Sequence, residues 1–408
     1  MGPPTFTTID STFAVYVQNR DGAGFCPSRY IDPACHAVPE ERRGGETVKR
    51  ILAALAAVLL TTGCADEKIL EKVGFMRTIA FDTAGADEPD KLEVTISIPL
   101  STGKKTMLHS TIARTPQEAM LVFNRRNDRE IVKGQVRQVL FGESIARKGV
   151  WDHLDLLMRD PSLGSRVHLL VTEGDPKALL GRTFANRGTS GEYIDDLIRT
   201  VVHAENLPDT NYYDDGIEPI AMIIKGSATN LAIDGIALFR KDRMIARVKP
   251  EDQMLLSMLR DDVDTGKLFL ELPTNGEPDD KVALSHLVSR RNVTVASGGA
   301  NRQGAPLQAT VRLTIKGSIL EYSGDRSVQG AAEQRQLEAK MGEVIRQRCQ
   351  SLIEFMQKNG TDAIGIGQYA RKKMSYAEWT RKPWSDLFAK ADIRVEAVVH
   401  IKDFGNLK

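Results

Sequence analysis

Four cysteines in 408 residues leave little room for disulfide chemistry. They stand at 26, 35, 64 and 349, too few and too scattered for the framework of a stapled scaffold. An excess of either charge is missing too. Fifty-five Lys and Arg against 54 Asp and Glu give a net charge of +1, and no long block of like charge occurs. The sequence therefore carries neither the footprint of a nucleic-acid-binding protein nor a polybasic run suited to anionic lipid. Long apolar runs are also absent. Ile51 to Leu60 is apolar throughout, but a membrane-spanning helix needs about 20 such residues.

That short run sits in Val48 to Cys64, VKRILAALAAVLLTTGC, which has the order of an export signal. Lys49 and Arg50 form a basic start, Ile51 to Leu60 the apolar middle, and Thr61-Thr62-Gly63 a small-residue exit before Cys64. The stretch reads as a lipoprotein signal peptide, residues 48–63, cleaved between Gly63 and Cys64, with lipid attached to Cys64. Thr61 stands where such signals usually carry Leu. Residues 1–47 are expected to be a leader that either precedes the true start, with Val48 as initiator, or has no fixed fold. Six basic and six acidic residues precede Cys64, so the net charge of the processed chain is unchanged. Its remaining thiol, Cys349, shares a helical face with Ile345, Leu352 and Met356 and is expected to be buried.

Beyond Cys64 the chain is long enough for two or three domains with substantial cores. Strand patterns run over Val73–Asp82, Leu92–Ile98, Gln135–Phe141, Val167–Val171, Ile220–Lys225, Ile233–Phe239, Lys267–Leu272, Val282–Val295, Thr310–Tyr322 and Ile393–Ile401. Lys241-Asp242 reads as a hairpin turn before Met244. Thr115-Pro116-Gln117-Glu118 supplies a cap, a first-turn proline and an acid for a helix to about Arg126. Further helices are expected from Trp151 to Arg159, through Tyr193–Val202, from Glu251 through Leu259, and from about Val328 to Lys358, where Asn359-Gly360 ends the last. Asn206–Pro219, with its aspartates and prolines, is the best linker. Strands with interspersed helices, without regular βαβ units, imply α+β domains with mixed or antiparallel sheets.

No catalytic constellation emerges. Gly365-Ile366-Gly367 lacks the strand, third glycine and helix of a dinucleotide site, and no phosphate-cradling GxxxxGK[ST] run occurs. His109, His153, His168, His203, His286 and His400 stand singly, so no metal-binding set forms. Ser144 lacks the second glycine of a nucleophile elbow. Asp195 and Asp196 point about 100° apart on a helix, as on a solvated face, and Asp214-Asp215 is an adjacent pair in a loop. Asp261, Asp262 and Asp264 lack the register of a calcium loop. No catalytic, metal-binding or cofactor-binding residue is assigned.

The order of motifs resembles the Ger(x)C lipoproteins, the C subunits of spore germinant receptors. The resemblance runs from Cys64 through Ile79-Ala80-Phe81-Asp82, Gln135 to Glu143, Ala146-Arg147-Lys148-Gly149 and Val167–Val171. Its clearest part is Asp362, Gly365, Gly367, Tyr369, Arg371 and Lys372, then Trp379, Trp384 and Phe388. Ala65-Asp66 stands where the family often has Trp-Asp. The resemblance implies three α+β domains: residues 64–96 with 206–249, residues 97–205, and residues 250–408 with the long helix. It also implies a non-enzymatic, lipid-anchored subunit on the outer face of the cell membrane or the spore inner membrane, without cofactor. The implied partners are the integral-membrane A and B subunits and the bilayer reached through Cys64, with no nucleic acid. The alternative from another class is a solute-binding lipoprotein of a membrane transporter.

Overall fold

The computed structural model describes residues 72–403 apart from 86, 89, 101–104, 165–166, 185–186, 206–217, 274–279, 297–305, 325–327 and 329. They belong to one compact unit, Lys68–Lys408. The signal, Gly63, Cys64, most of the expected linker and Asp214-Asp215 lie outside the described residues.

Fourteen strands are described: β1 Val73–Phe75, β2 Thr78–Thr83, β3 Leu92–Pro99, β4 Thr106–Ala113, β5 Glu130–Val132, β6 Gln138–Gly142, β7 His168–Glu173, β8 Ile220–Gly226, β9 Leu231–Arg240, β10 Arg243–Val248, β11 Leu268–Leu272, β12 Asp280–Val295, β13 Gln308–Tyr322 and β14 Asp392–Asp403. The helices are α1 Pro116–Arg126, α2 Glu143–Lys148, α3 Trp151–Met158, α4 Pro176–Leu180, α5 Ser190–Glu205, α6 Gln253–Arg260, α7 Ala331–Asn359, α8 Ile366–Arg371, α9 Tyr376–Arg381 and α10 Trp384–Phe388. Mixed sheets with packed helices make the fold α+β, as expected. The expected first strand is broken at Met76-Arg77 into β1 and β2.

Eight strands form one sheet in the order β10-β9-β8-β7-β6-β2-β3-β4. Its four central strands, β8, β7, β6 and β2, are parallel, and an antiparallel pair of strands extends each side. Regular βαβ units were not expected, yet β6 connects to β7 through α2 and α3, and β7 to β8 through α4 and α5, and both strand pairs are parallel. The central strands are buried on both faces, so their sequences are continuous apolar runs such as Ile220–Ile224. β3 crosses the boundary expected at 96/97, and the sheet takes strands from residues 64–96, 97–205 and 206–249 alike.

Alternate residues of these strands feed two cores. Ile79, Phe81, Val139, Phe141, Val171 and Ile223 pack under Ala119 and Phe123 of α1 and Ile145 and Ala146 of α2. Ala80, Leu140, Leu170, Met222 and Ile224 face Leu179 and Leu180 of α4 and Ile194 and Ile198 of α5. The second core continues without a break through α6 into the other large sheet, β11-β12-β13-β14. Each fully buried Leu, Ile or Phe contributes roughly 1.5–3 kcal/mol. β1 and β5 form a small parallel pair beside the large sheet.

α1 begins as its sequence dictates, with the Thr115 hydroxyl accepting from the Glu118 N–H. α5 requires a correction. Asp195, expected on the solvated face beside Asp196, is 6 % exposed and reaches Arg77 and Arg199 with its carboxylate. An inward carboxylate is tolerated where cations meet it.

In the C-terminal sheet β11, β12 and β13 are antiparallel, while β13 and β14 are parallel, joined by a crossover that contains α7. A Cβ on Gly342 of α7 would stand 3.0 Å from the Ala397 carbonyl of β14, so the helix approaches the strand closely there. Gln350 accepts from the Val395 N–H at 3.2 Å and donates to the Ile393 carbonyl at 3.0 Å, while Glu338 accepts from the Ile401 N–H at 2.7 Å. Side chains of α7 thus satisfy backbone groups of an edge strand.

Cys349 is fully buried, and burial pushes its thiol up to about 12. The thiolate is the reactive form, so a native chain carrying Cys26→Ser, Cys35→Ser and Cys64→Ser is expected to be inert to Ellman's reagent. One equivalent of thiol should appear on unfolding in denaturant. Stoichiometric reaction of the native protein within minutes would contradict the burial.

Candidate functional site

α7 ends at Gly360, whose left-handed backbone (φ 64°) lets its N–H bond back to the Gln357 and Met356 carbonyls. The following residues form a tight turn around one carboxylate. Asp362 is 2 % exposed. Its Oδ1 accepts from the Ile366 N–H at 3.0 Å, and its Oδ2 accepts from the Gly367 N–H at 2.7 Å and from the Trp384 indole at 2.9 Å. Gly365, also left-handed (φ 71°), turns the chain so that the first N–H groups of α8 point at the carboxylate. Burial pushes the Asp362 carboxyl up from its ordinary range, against the pull of these three donors.

Neighbouring elements clamp the same turn. The Thr361 hydroxyl donates to the Phe239 carbonyl of β9 at 2.6 Å. Arg260 of α6 donates to the Ala363 carbonyl, and Arg291 of β12 donates to the Ile364 and Arg260 carbonyls, all at 2.8 Å. Burial pushes the Arg291 guanidinium down from its usual range. Its cation lies 5.3 Å from the centre of the Tyr369 ring. The turn therefore joins α7, α8 and α10 to both large sheets.

Trp384 stacks on Trp379 with ring centres 5.5 Å apart and leans on Phe388, which is fully buried. Trp384 also lines a cavity of about 790 Å³ shared with Glu218, the β9–β10 hairpin residues Arg240–Arg243, and Pro383, Ser385 and Asp386. Glu218 Oε2 accepts from the Lys241 N–H at 2.6 Å. Burial first, and the nearby negative Asp362 to a lesser degree, push the Glu218 carboxyl up.

The residues weighed for chemistry lie apart. Ser144 donates to Asp82, and a Cβ on Gly142 would strike that carboxylate at 2.5 Å. Ring stacking and burial hold His153 against Phe81, and burial lowers its pKa. Arg290 fills the acidic loop, meeting Asp264 at 2.8 Å and Asp262 at 3.8 Å. Among the described residues no group of three or more His, Cys, Asp or Glu is placed to hold a metal. No described helix is long and apolar enough to cross a membrane.

The structure thus gathers Asp362, Gly365, Gly367, Tyr369, Trp379, Trp384 and Phe388 into one node. Their order in the sequence carried a resemblance but no chemistry. Glu218, Arg260 and Arg291 were missed. Arg291 follows an exposed Arg290 on a strand, and only strand alternation marks it as the inward one of the pair.

Comparison with known proteins gives a consistent result. Residues 66–214 match the family described as the spore germination protein N-terminal domain. Residues 234–405 match the one described as spore germination B3/GerAC like, C-terminal. The spore germination protein GerQC of Bacillus cereus is 24% identical over 368 residues, covering 88% of this chain and 99% of that protein. YfkR of Bacillus subtilis strain 168 is 24% identical over 391 residues, covering 89% and 98%. The crystal structure of the GerBC protein superposes with a TM-score of 0.50 at 14% identity, covering 83% of this chain and all of that one, a likeness of fold.

Proposed function

The chain belongs to the spore germination family defined by these two domains, and we propose that it works as the lipid-anchored subunit of a nutrient germinant receptor. The observation that carries this reading is collinearity. Both family domains follow Cys64 in order, the first beginning at residue 66. Diacylglycerol on Cys64 would supply the membrane affinity, and the tether would hold the folded part at high effective concentration beside the integral-membrane A and B subunits. The role is structural or signalling, not catalytic.

A two-lobed solute-binding lipoprotein is the competing reading. It needs a hinge between separately packed lobes, whereas one core runs from the eight-stranded sheet into the four-stranded one. That continuity favours a subunit that moves as one body.

The test is nutrient-triggered dipicolinate release from spores that lack parallel receptors. A Cys64→Ala chain, present at normal amounts, is expected to lose the response. A wild-type response from these spores, together with a wild-type response after deletion of the whole gene, would remove the protein from that receptor.

A further inference from the structure

Net charge is nearly zero, yet folding concentrates cations at one corner. Arg240, Lys241 and Arg243 stand on the β9–β10 hairpin beside the 790 Å³ cavity. The segment around α9, whose Trp379 stacks on the cavity-lining Trp384, carries Arg371, Lys372, Lys373, Arg381 and Lys382, all exposed. The two groups are continuous: Trp384 lines the cavity and stacks on Trp379, and the Arg371 guanidinium lies 5.7 Å from the Trp379 ring centre. Among the described residues none of these eight cations forms an ion pair, and the side chains of Arg240 and Lys241 meet Glu218 only through their charge. The carboxylates nearby are Asp242, Asp386, the buried Glu218, and Glu378, which is engaged in the Ser375 cap of α9. Tyr376, on the same helix as Trp379, is 74 % exposed.

Strand directions place this corner relative to the point where the chain enters the large sheet. β2 starts at Thr78, and β6, β7 and β8 run parallel to it. β9 runs against them, so the Lys241-Asp242 tip lies at the end of the sheet where β2 begins. The chain enters β2 from β1, which starts at Val73. Only residues 65–72 separate β1 from Cys64, a leash of at most about 30 Å. β2 and β10 are five strand positions apart in the sheet, roughly 24 Å at the usual spacing.

We propose that this cationic, aromatic corner docks on the anionic surface of the bilayer that holds the tether. Lys and Arg meet phosphate headgroups there, while Tyr and Trp suit the interfacial layer, with a polar edge in water and a ring among acyl chains. The orientation rests on reading Cys64 as the anchor. The contact itself does not, and the test separates the two.

The experiment measures binding of the full-length Cys64→Ala chain to vesicles of phosphatidylcholine alone and of phosphatidylcholine with 30 % phosphatidylglycerol. Ile51 to Leu60 and the flanking Lys49 and Arg50 are common to every variant, so the part of the anionic preference that reversal of the corner removes is the readout. We expect a clear preference, abolished at high salt and reduced on the order of thirtyfold by Lys372→Glu with Lys373→Glu. Arg335→Glu with Lys340→Glu, in the first turns of α7 some 30 Å along the helix from its patch end, should leave the preference intact. Absence of preference, or a preference untouched by the patch reversal, overturns the proposal. If vesicle preference is absent while the same reversal abolishes dipicolinate release, the corner meets an acidic protein surface instead.

Discussion

Asp362→Ala is expected to lower the free energy of unfolding by about 3 kcal/mol or more, because three N–H donors and the turn they hold lose a buried acceptor together. The carboxylate stands 2 % exposed, so water cannot replace it without opening the node. Asp362→Asn should recover only part of the loss. Its single oxygen can serve Ile366 or the Gly367 and Trp384 pair, but its NH₂ must then face a donor. Urea unfolding followed by tryptophan fluorescence tests the ordering, wild type above Asn above Ala. Equal midpoints for all three would show that the node is not a stability element. The same variants should weaken germination in proportion to protein lost, as expected of a stability role.

Gly235→Ala carries the second large effect, expected to cost about 3 kcal/mol from a strained backbone combined with a clash. Gly235 lies inside β9 with φ at 119°, and a Cβ there would stand 2.3 Å from the Val248 carbonyl of β10. Neither atom can move aside cheaply, since Ile236 pairs with Val248 in the ladder. A Gly85→Ala control has φ at 98° but nothing within 4 Å of its Cβ. It carries the backbone strain without the clash and should cost about 1 kcal/mol. Thermal melts of the two variants separate these contributions. Indistinguishable melting temperatures would mean that the close approach at Val248 is relieved by a small shift of β10.

Most of the fold was legible wherever one side of an element is wet. β12, β13 and β14 alternate in sequence because one of their faces packs against the core. β4 escaped notice for the converse reason. Nearly all its residues are half-buried, so neither face imposes a pattern. The helices between β6, β7 and β8 were expected at Trp151 to Arg159 and Tyr193–Val202, but the parallel sense of those strands was not, because strands buried on both faces read as plain apolar runs that carry no mark of pairing direction. At the Asp362 node, Asp362, Gly365 and Gly367 were legible as part of the motif order that carries the family resemblance. The convergence of Trp384, Arg260 and Arg291 on it was not, since their contacts join residues 22 to 103 positions apart in the chain. The cationic corner was hidden for the same reason: its charges come from two segments, neither of which forms a long basic block.

The Gln350 and Glu338 contacts along β14 bear on how closely copies of this chain can sit side by side. An uncapped strand edge is a template for cross-chain pairing wherever copies of one chain crowd together. With three of the strand's outward backbone groups already engaged by its own helix, close neighbours can cluster without zipping into fibrils along that side. Dense packing is then limited by shape and charge, both of which are reversible.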